Sequence, residues 1–319
     1  MEAEPDEVGR LSGRRRALGL AAGLLILVFL GYGVARGWDV VSRYDWRFRP
    51  LPAAAGFAAL LGMYVMSAYG YVLILEQLAA RRLPRTRFVA VWARSILGRY
   101  VPGNVLMVAS RLVLGSEAGV PQRVSLAASV YEQALSLGAM AVGGAILVAF
   151  EGAGDSIGAA AWLVAVVPLG LVVLHPRLFG PITAWLLTRF GREPLAVLLT
   201  VRQLIALLAW YAVSAVLLAL GVALVVRSAV PGAGPLAYIG LSFLASFVVS
   251  MLAFVFPSGL GVREGAFALA LSRYLPGGVA IAASTGIRLV LTAAELLFVG
   301  VAVLVDRRAQ ARAVAKSPK

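Results

Sequence analysis

Cysteine is absent from this chain and histidine occurs once, at His175. That shortage leaves no material for a disulfide framework, a thiol nucleophile or a Cys/His metal site. It also argues against a Ser-His-Asp triad, because the single imidazole falls in a loop read as cytosolic. Charge is scarce as well. Only 14% of the 319 residues are charged, against about 25% in a soluble domain. Hydrophobic residues make up 61%, and the mean hydropathy is +0.89. The chain therefore reads as a polytopic membrane protein with almost nothing left over for a soluble domain. The little charge present is lopsided, with a formal net of +14. Its basic residues sit in short loops between apolar runs, where they orient the protein and meet anionic lipid rather than nucleic acid. The excess of Ala, Arg, Gly and Val over Lys suggests a high-GC bacterial source.

Residues 1–16 are polar and end in Arg14-Arg15-Arg16, followed by the apolar run Ala17 to Ala35. No small-residue cleavage site stands out, so this run is read as an uncleaved first span rather than a signal peptide. Further full-length runs are Leu51 to Leu75, Val124 to Phe150, Ile157 to Leu174, Gln203 to Val226 and Val279 to Val305. A cytoplasmic N-terminus puts 21 of the 29 basic residues on the inner side. That bias predicts six crossings with both termini inside. Residues 1–16 and 306–319 then form cytoplasmic tails around a transmembrane domain at 17–305. The stretch Arg36 to Arg49 runs against the bias, and its Trp38, Tyr44, Trp46 and Phe48 suggest a segment lying in the interface.

Two apolar segments are interrupted. Trp92 to Arg111 breaks at Tyr100-Val-Pro-Gly-Asn104, and Leu236 to Tyr274 breaks at Phe256-Pro-Ser-Gly-Leu-Gly-Val-Arg-Glu264. Pro and Gly stand where a helix cannot continue. An odd number of crossings would put the basic C-terminus outside, so each segment is expected to return to the side it came from. The first would dip in from the cytoplasm and the second from outside. The expected fold is thus all-α, with six transmembrane helices and two re-entrant hairpins. Residues of about 51–150 and 203–305 would form an inverted repeat, a recurrent transporter architecture. Tyr274-Leu-Pro-Gly-Gly-Val279 resembles the first break in wording only and is read as a loop.

Irregular backbone and charge at membrane depth are tolerated where they are buried in protein or line a wet cavity. Arg263 and Glu264 follow Pro257-Ser-Gly-Leu-Gly261, a Gly-rich turn into a helix whose free N–H groups and dipole suit phosphate. Ser258, Gly259 and Gly261 are counted with them as candidate binding residues. The plain alternative is a salt bridge closing a sharp turn. Arg99 and Arg111 flank the first break and could begin a basic track for an anionic head group, or be ordinary positive-inside charge. Asn104 either caps a half-helix or touches ligand. Glu132, Glu295 and Arg288 lie within spans. Such carboxylates either pair with Arg111, Arg263 or Arg288, or relay protons. No nucleophile with an adjacent base and no nucleotide-binding motif accompanies them, so catalytic residues, cofactor and metal are not expected.

The run Tyr100-Val-Pro-Gly-Asn-Val105 with Ser110-Arg111, then Gly115 to Val120 with Val130-Tyr-Glu132, resembles the lysylphosphatidylglycerol synthase transmembrane, or flippase-like, family. Phe256-Pro-Ser-Gly-Leu-Gly-Val-Arg-Glu-Gly-Ala266 strengthens the likeness, which extends from about Ala17 to Arg308. The resemblance implies a lipid translocase domain in the bacterial inner membrane. In multiple-peptide-resistance-factor proteins such a domain moves aminoacylated phosphatidylglycerol outward, and a separate soluble domain attaches the amino acid. Nothing after Asp306 matches that second domain, so lysyl transfer is not expected. Membrane lipids are the expected partners, either anionic phospholipid or a lipid-linked head group. Homodimerisation and association with a lipid-modifying enzyme stay open. A membrane-embedded head-group or glycosyl transferase, and a scaffold for a lipid-synthesis enzyme, are the competing readings.

Overall fold

The computed structural model describes residues 38–100, 105–150, 174–189, 193–252 and 261–316. All regular secondary structure among the described residues is helical, without strands. In chain order the helices are α1 (Trp38–Arg43), α2 (Pro50–Leu78), α3 (Arg85–Ile96), α4 (Val105–Glu117), α5 (Gln122–Phe150), α6 (Pro176–Arg189), α7 (Val201–Ala229), α8 (Leu236–Leu252), α9 (Val262–Leu271) and α10 (Gly277–Lys316). A 3₁₀ turn, Leu97–Tyr100, extends α3.

Four of these helices are long and apolar enough to cross a membrane: α2, most of α5, α7, and α10 as far as Arg312. At 29 residues, α2 and α7 reach about 43 Å, beyond the ~30 Å hydrocarbon core. Pro near its first position opens α2. A capping box opens α7, in which Gln203 N–H donates to Thr200 Oγ1 and Thr200 N–H donates back to Gln203 Oε1 at 2.8 Å.

Helices α2 and α7 run antiparallel and form the closest pair. Glycines allow it: a β-carbon at Gly56 would stand 2.8 Å from the Gly221 carbonyl oxygen, and one at Gly221 would meet Leu60 at 2.7 Å. Small residues at such a seam are what helices use where lipid supplies no hydrophobic drive. Ser67 and Ser214 share a hydrogen bond across it at 2.9 Å, and Trp210 Nε1 donates to Met66 O.

Each interrupted segment folds as two short helices packed side by side. In the first, Arg87 near the start of α3 donates to Glu117 O at the end of α4. Gly98 meets Leu106 and Met107 at the opposite end of the pair. In the second, Tyr238 near the start of α8 donates to Ala270 O at the end of α9, and Phe243 meets Phe267 edge-on. Helix α10 is the common wall, with its first half against α9 and its later half against α3.

The last helix runs on past Asp306 to Lys316. Asp306 is buried there, 3.8 Å from Arg94 and accepting from Gln310, which carries the helix past its apolar part. The outgoing helix of the first pair continues beyond Arg111 to Glu117. Arg36 to Arg49 is partly described. After α1 the N–H groups of Arg47 and Arg49 bond the carbonyls of Ala229 and Ser228 at the end of α7. Trp46 and Phe48 are exposed. Tyr274 to Gly277 is a turn between α9 and α10, as read. The run Ala17 to Ala35, nearly all of Ile157 to Leu174, both tail ends, and the tips 101–104 and 253–260 lie outside the described residues.

Candidate functional site

A cavity of about 550 Å³ lies where the broken ends of the two short-helix pairs approach α5 and α10. Arg99, Arg111, Arg263, Arg288, Glu132 and Glu295 all line it. Most of the remaining wall is apolar, including Met107, Val130, Leu137, Met140, Phe247 and Met251. Asn104, Ser258 and Gly259 lie outside the described residues. Gly261 and Glu264 are not part of the wall.

Three charged nodes hold the polar end together. The first ties α4 to α5. Arg111 is 1% exposed and ion-pairs with Glu132. Its Nε donates to Ser95 Oγ at 3.0 Å, and its guanidinium lies 4.8 Å from the Tyr71 ring centre. Trp92 Nε1 donates to Glu132 Oε1 at 2.8 Å, which draws α3 into the same node. All three Arg111 nitrogens and both Glu132 oxygens are engaged, as a buried pair requires.

Glu264 makes the second node. Its Oε2 accepts the N–H of Gly261 at 3.0 Å. Its Oε1 accepts from Arg263 at 2.9 Å and from Arg288 at 2.7 Å. Ser284 Oγ donates to the Glu264 carbonyl, tying α9 again to α10. The turn into α9 needs glycine because Gly261 has φ +84°. The Gly261 N–H expected to greet phosphate already serves the chain's own carboxylate, which also answers the positive end of the helix. In this half Arg263 and Arg288 reach the cavity wall, with Glu264 fixing their positions. Arg263 lies 5.5 Å from the Phe243 ring and 5.8 Å from that of Phe247.

The third node is looser. Arg99 Nη1 stands 3.6 Å from Glu295 Oε2. The same carboxylate oxygen accepts from Tyr64 Oη at 3.2 Å. Arg288 and Glu295 share a face of α10, as their spacing indicated, yet they serve different partners. Glu132 takes Arg111, one of the partners considered from sequence, whereas Glu295 takes Arg99, which was not.

Tyr64, Trp92 and Ser95 are site residues that the sequence reading did not single out. A faint signal was available for two of them, since buried Trp N–H and Tyr O–H groups nearly always find acceptors. Ser95 carried none. The Arg94–Asp306 contact likewise depends on how α3 meets α10.

Residues 16–298 match the family described as the lysylphosphatidylglycerol synthase TM region. No curated protein matches the chain.

Proposed function

The chain belongs to the lysylphosphatidylglycerol synthase transmembrane-region family, and from that premise we propose that it carries an anionic lipid head group between the leaflets of a bacterial inner membrane. It acts as a translocase and not as an enzyme. The head group, a phospholipid phosphate or a polyprenyl phosphate, is taken by Arg263, Arg288, Arg99 and Arg111, and the tails stay in lipid beside the apolar wall. The observation that carries this reading is the convergence of six charged side chains, drawn from both broken helix pairs and the long helices beside them, on one largely apolar cavity. Charge at that depth costs on the order of 2.5–3.5 kcal/mol per group even on lenient scales. A fold that needed only a scaffold would avoid that cost.

The architecture we propose has six crossings, both termini cytoplasmic, and two re-entrant pairs in an inverted repeat. Helices α2 to α5 would form one half and α7 to α10 the other. The charge pattern supports this. In each half the helix after the break is ion-paired to the next long helix, through Arg111–Glu132 in one and Glu264–Arg288 in the other. The signs are reversed and the separations are 21 and 24 residues.

Purified protein in liposomes with fluorescent reporter lipids tests the function. Arg263→Ala removes a charge-assisted contact of about 1.5–3 kcal/mol. It should slow head-group exchange roughly 10- to 100-fold while the protein stays folded. Equal exchange in both proteins, across the anionic lipids offered, would remove the reading.

A further inference from the structure

We infer that Glu295 is a proton-binding site: when an anionic head group engages Arg99, the Glu295 carboxylate loses its cation and takes a proton from solvent, so anion and proton occupy the cavity together. The inference rests on the proposed function for the identity of the anion and on nothing else from it.

The three carboxylates of the site are held in unequal ways. Glu132 receives Arg111 and Trp92. Glu264 receives the Gly261 N–H and two guanidinium groups. Glu295 is only 2% exposed, and its Oε1 has no hydrogen-bond partner among the described residues. Its Oε2 has Tyr64 at 3.2 Å and Arg99 at 3.6 Å, the latter longer than a hydrogen bond. A buried ionised carboxylate with an empty oxygen is held in that form by its countercharge. Arg99 supplies the countercharge from the 3₁₀ turn beside the first break, and its side chain is 35% exposed. It is therefore the arginine best placed to turn toward an arriving anion.

The surroundings of Glu295 fit this exchange. Facing it are Tyr64 from α2, Arg99 from the 3₁₀ turn, Arg263 from α9 and Arg288 from its own helix. Arg263 and Arg288 are already committed to Glu264, and Arg111 to Glu132, so none is positioned to replace Arg99. The charge balance closes as well. One negative charge enters with a phosphodiester, one proton converts the Glu295 carboxylate to the neutral acid, and Arg99 stays protonated throughout. The loaded site carries the same net charge as the empty one, and a neutral pair moves without work against the membrane potential.

Arg99→Gln imitates the loss of the cation without any ligand. Infrared difference spectra of the purified protein at neutral pH should then show the carbonyl band of a protonated carboxylic acid, absent from wild type. Adding Glu295→Gln should abolish that band. In a second arm, a short-chain phosphatidylglycerol is added to wild-type protein in weakly buffered solution. Uptake of about one proton per bound probe is expected, with none in Glu295→Gln. This arm carries the test if Arg99→Gln does not purify as a folded protein. A band missing from folded Arg99→Gln, or proton uptake that survives Glu295→Gln, overturns the inference. A carboxyl band that appears as expected in a protein that moves no reporter lipid would sink the carrier reading and leave the proton site standing.

Discussion

Removing the carboxylate of Glu132 strands the Arg111 guanidinium in a place where only 1% of the residue meets solvent. Breaking a buried pair from one side costs about 3–5 kcal/mol, whereas replacing both partners by apolar residues is often neutral. Glu132→Ala should therefore lower unfolding free energy in detergent by about that amount, and Arg111→Met with Glu132→Leu should recover most of it. Arg263 contrasts with this. Glu264 and two aromatic rings hold it at the cavity wall, so its loss should be felt in transport more than in folding. The two arginines look alike in sequence, and only their surroundings separate a fully buried ion pair from a partly exposed one. Gly261 adds a backbone case. At φ +84° a β-carbon is strained, and the turn also aims its N–H at Glu264.

At the scale of elements, the glycines at the seam between α2 and α7 decide how closely these two long helices approach. A methyl group at Gly56 must push against the Gly221 carbonyl at 2.8 Å, which is backbone and cannot rotate away. At Gly286, in α10, an added methyl group would have nothing within 4 Å among the described residues. Overpacking costs about 1–3 kcal/mol, while Gly to Ala in an open helix gains up to about 1 kcal/mol. Gly56→Ala should thus lower the unfolding midpoint in detergent and Gly286→Ala should hold or raise it. Equal effects would show that the seam is not tightly packed. The short helices behave differently, since α9 has only 10 residues and is too short to be stable alone. It is held by the Glu264 cap, by Phe243 against Phe267, and by the bonds from Ser284 and Arg288.

For the whole molecule, the proposed architecture brings the two broken pairs in from opposite faces of the membrane, with residues of both on the wall of one cavity. The chain has no cysteine, so single cysteines can report which end faces which compartment. Ser116, at the end of α4, and Ser272, just after α9, are both exposed. Ser116→Cys should react with an impermeant maleimide only from the cytoplasmic side, and Ser272→Cys only from outside. Labelling of both from one side would end the inverted-repeat proposal.

Composition and hydropathy alone determined that this is a helical membrane protein, because 61% apolar content in long runs admits no other way to satisfy the backbone in lipid. The ends of α2, α5 and α7 were legible to within a few residues, since apolar length and Pro or capping residues mark them locally. Pro and Gly also marked where the two segments break. Which carboxylate serves which arginine was settled only by tertiary structure: Arg99 and Glu295 are 196 positions apart by their numbers, and no local rule reaches that far. The same holds for the Gly261 N–H. Sequence offered it to a ligand, while the folded turn brings the chain's own Glu264 carboxylate to it first.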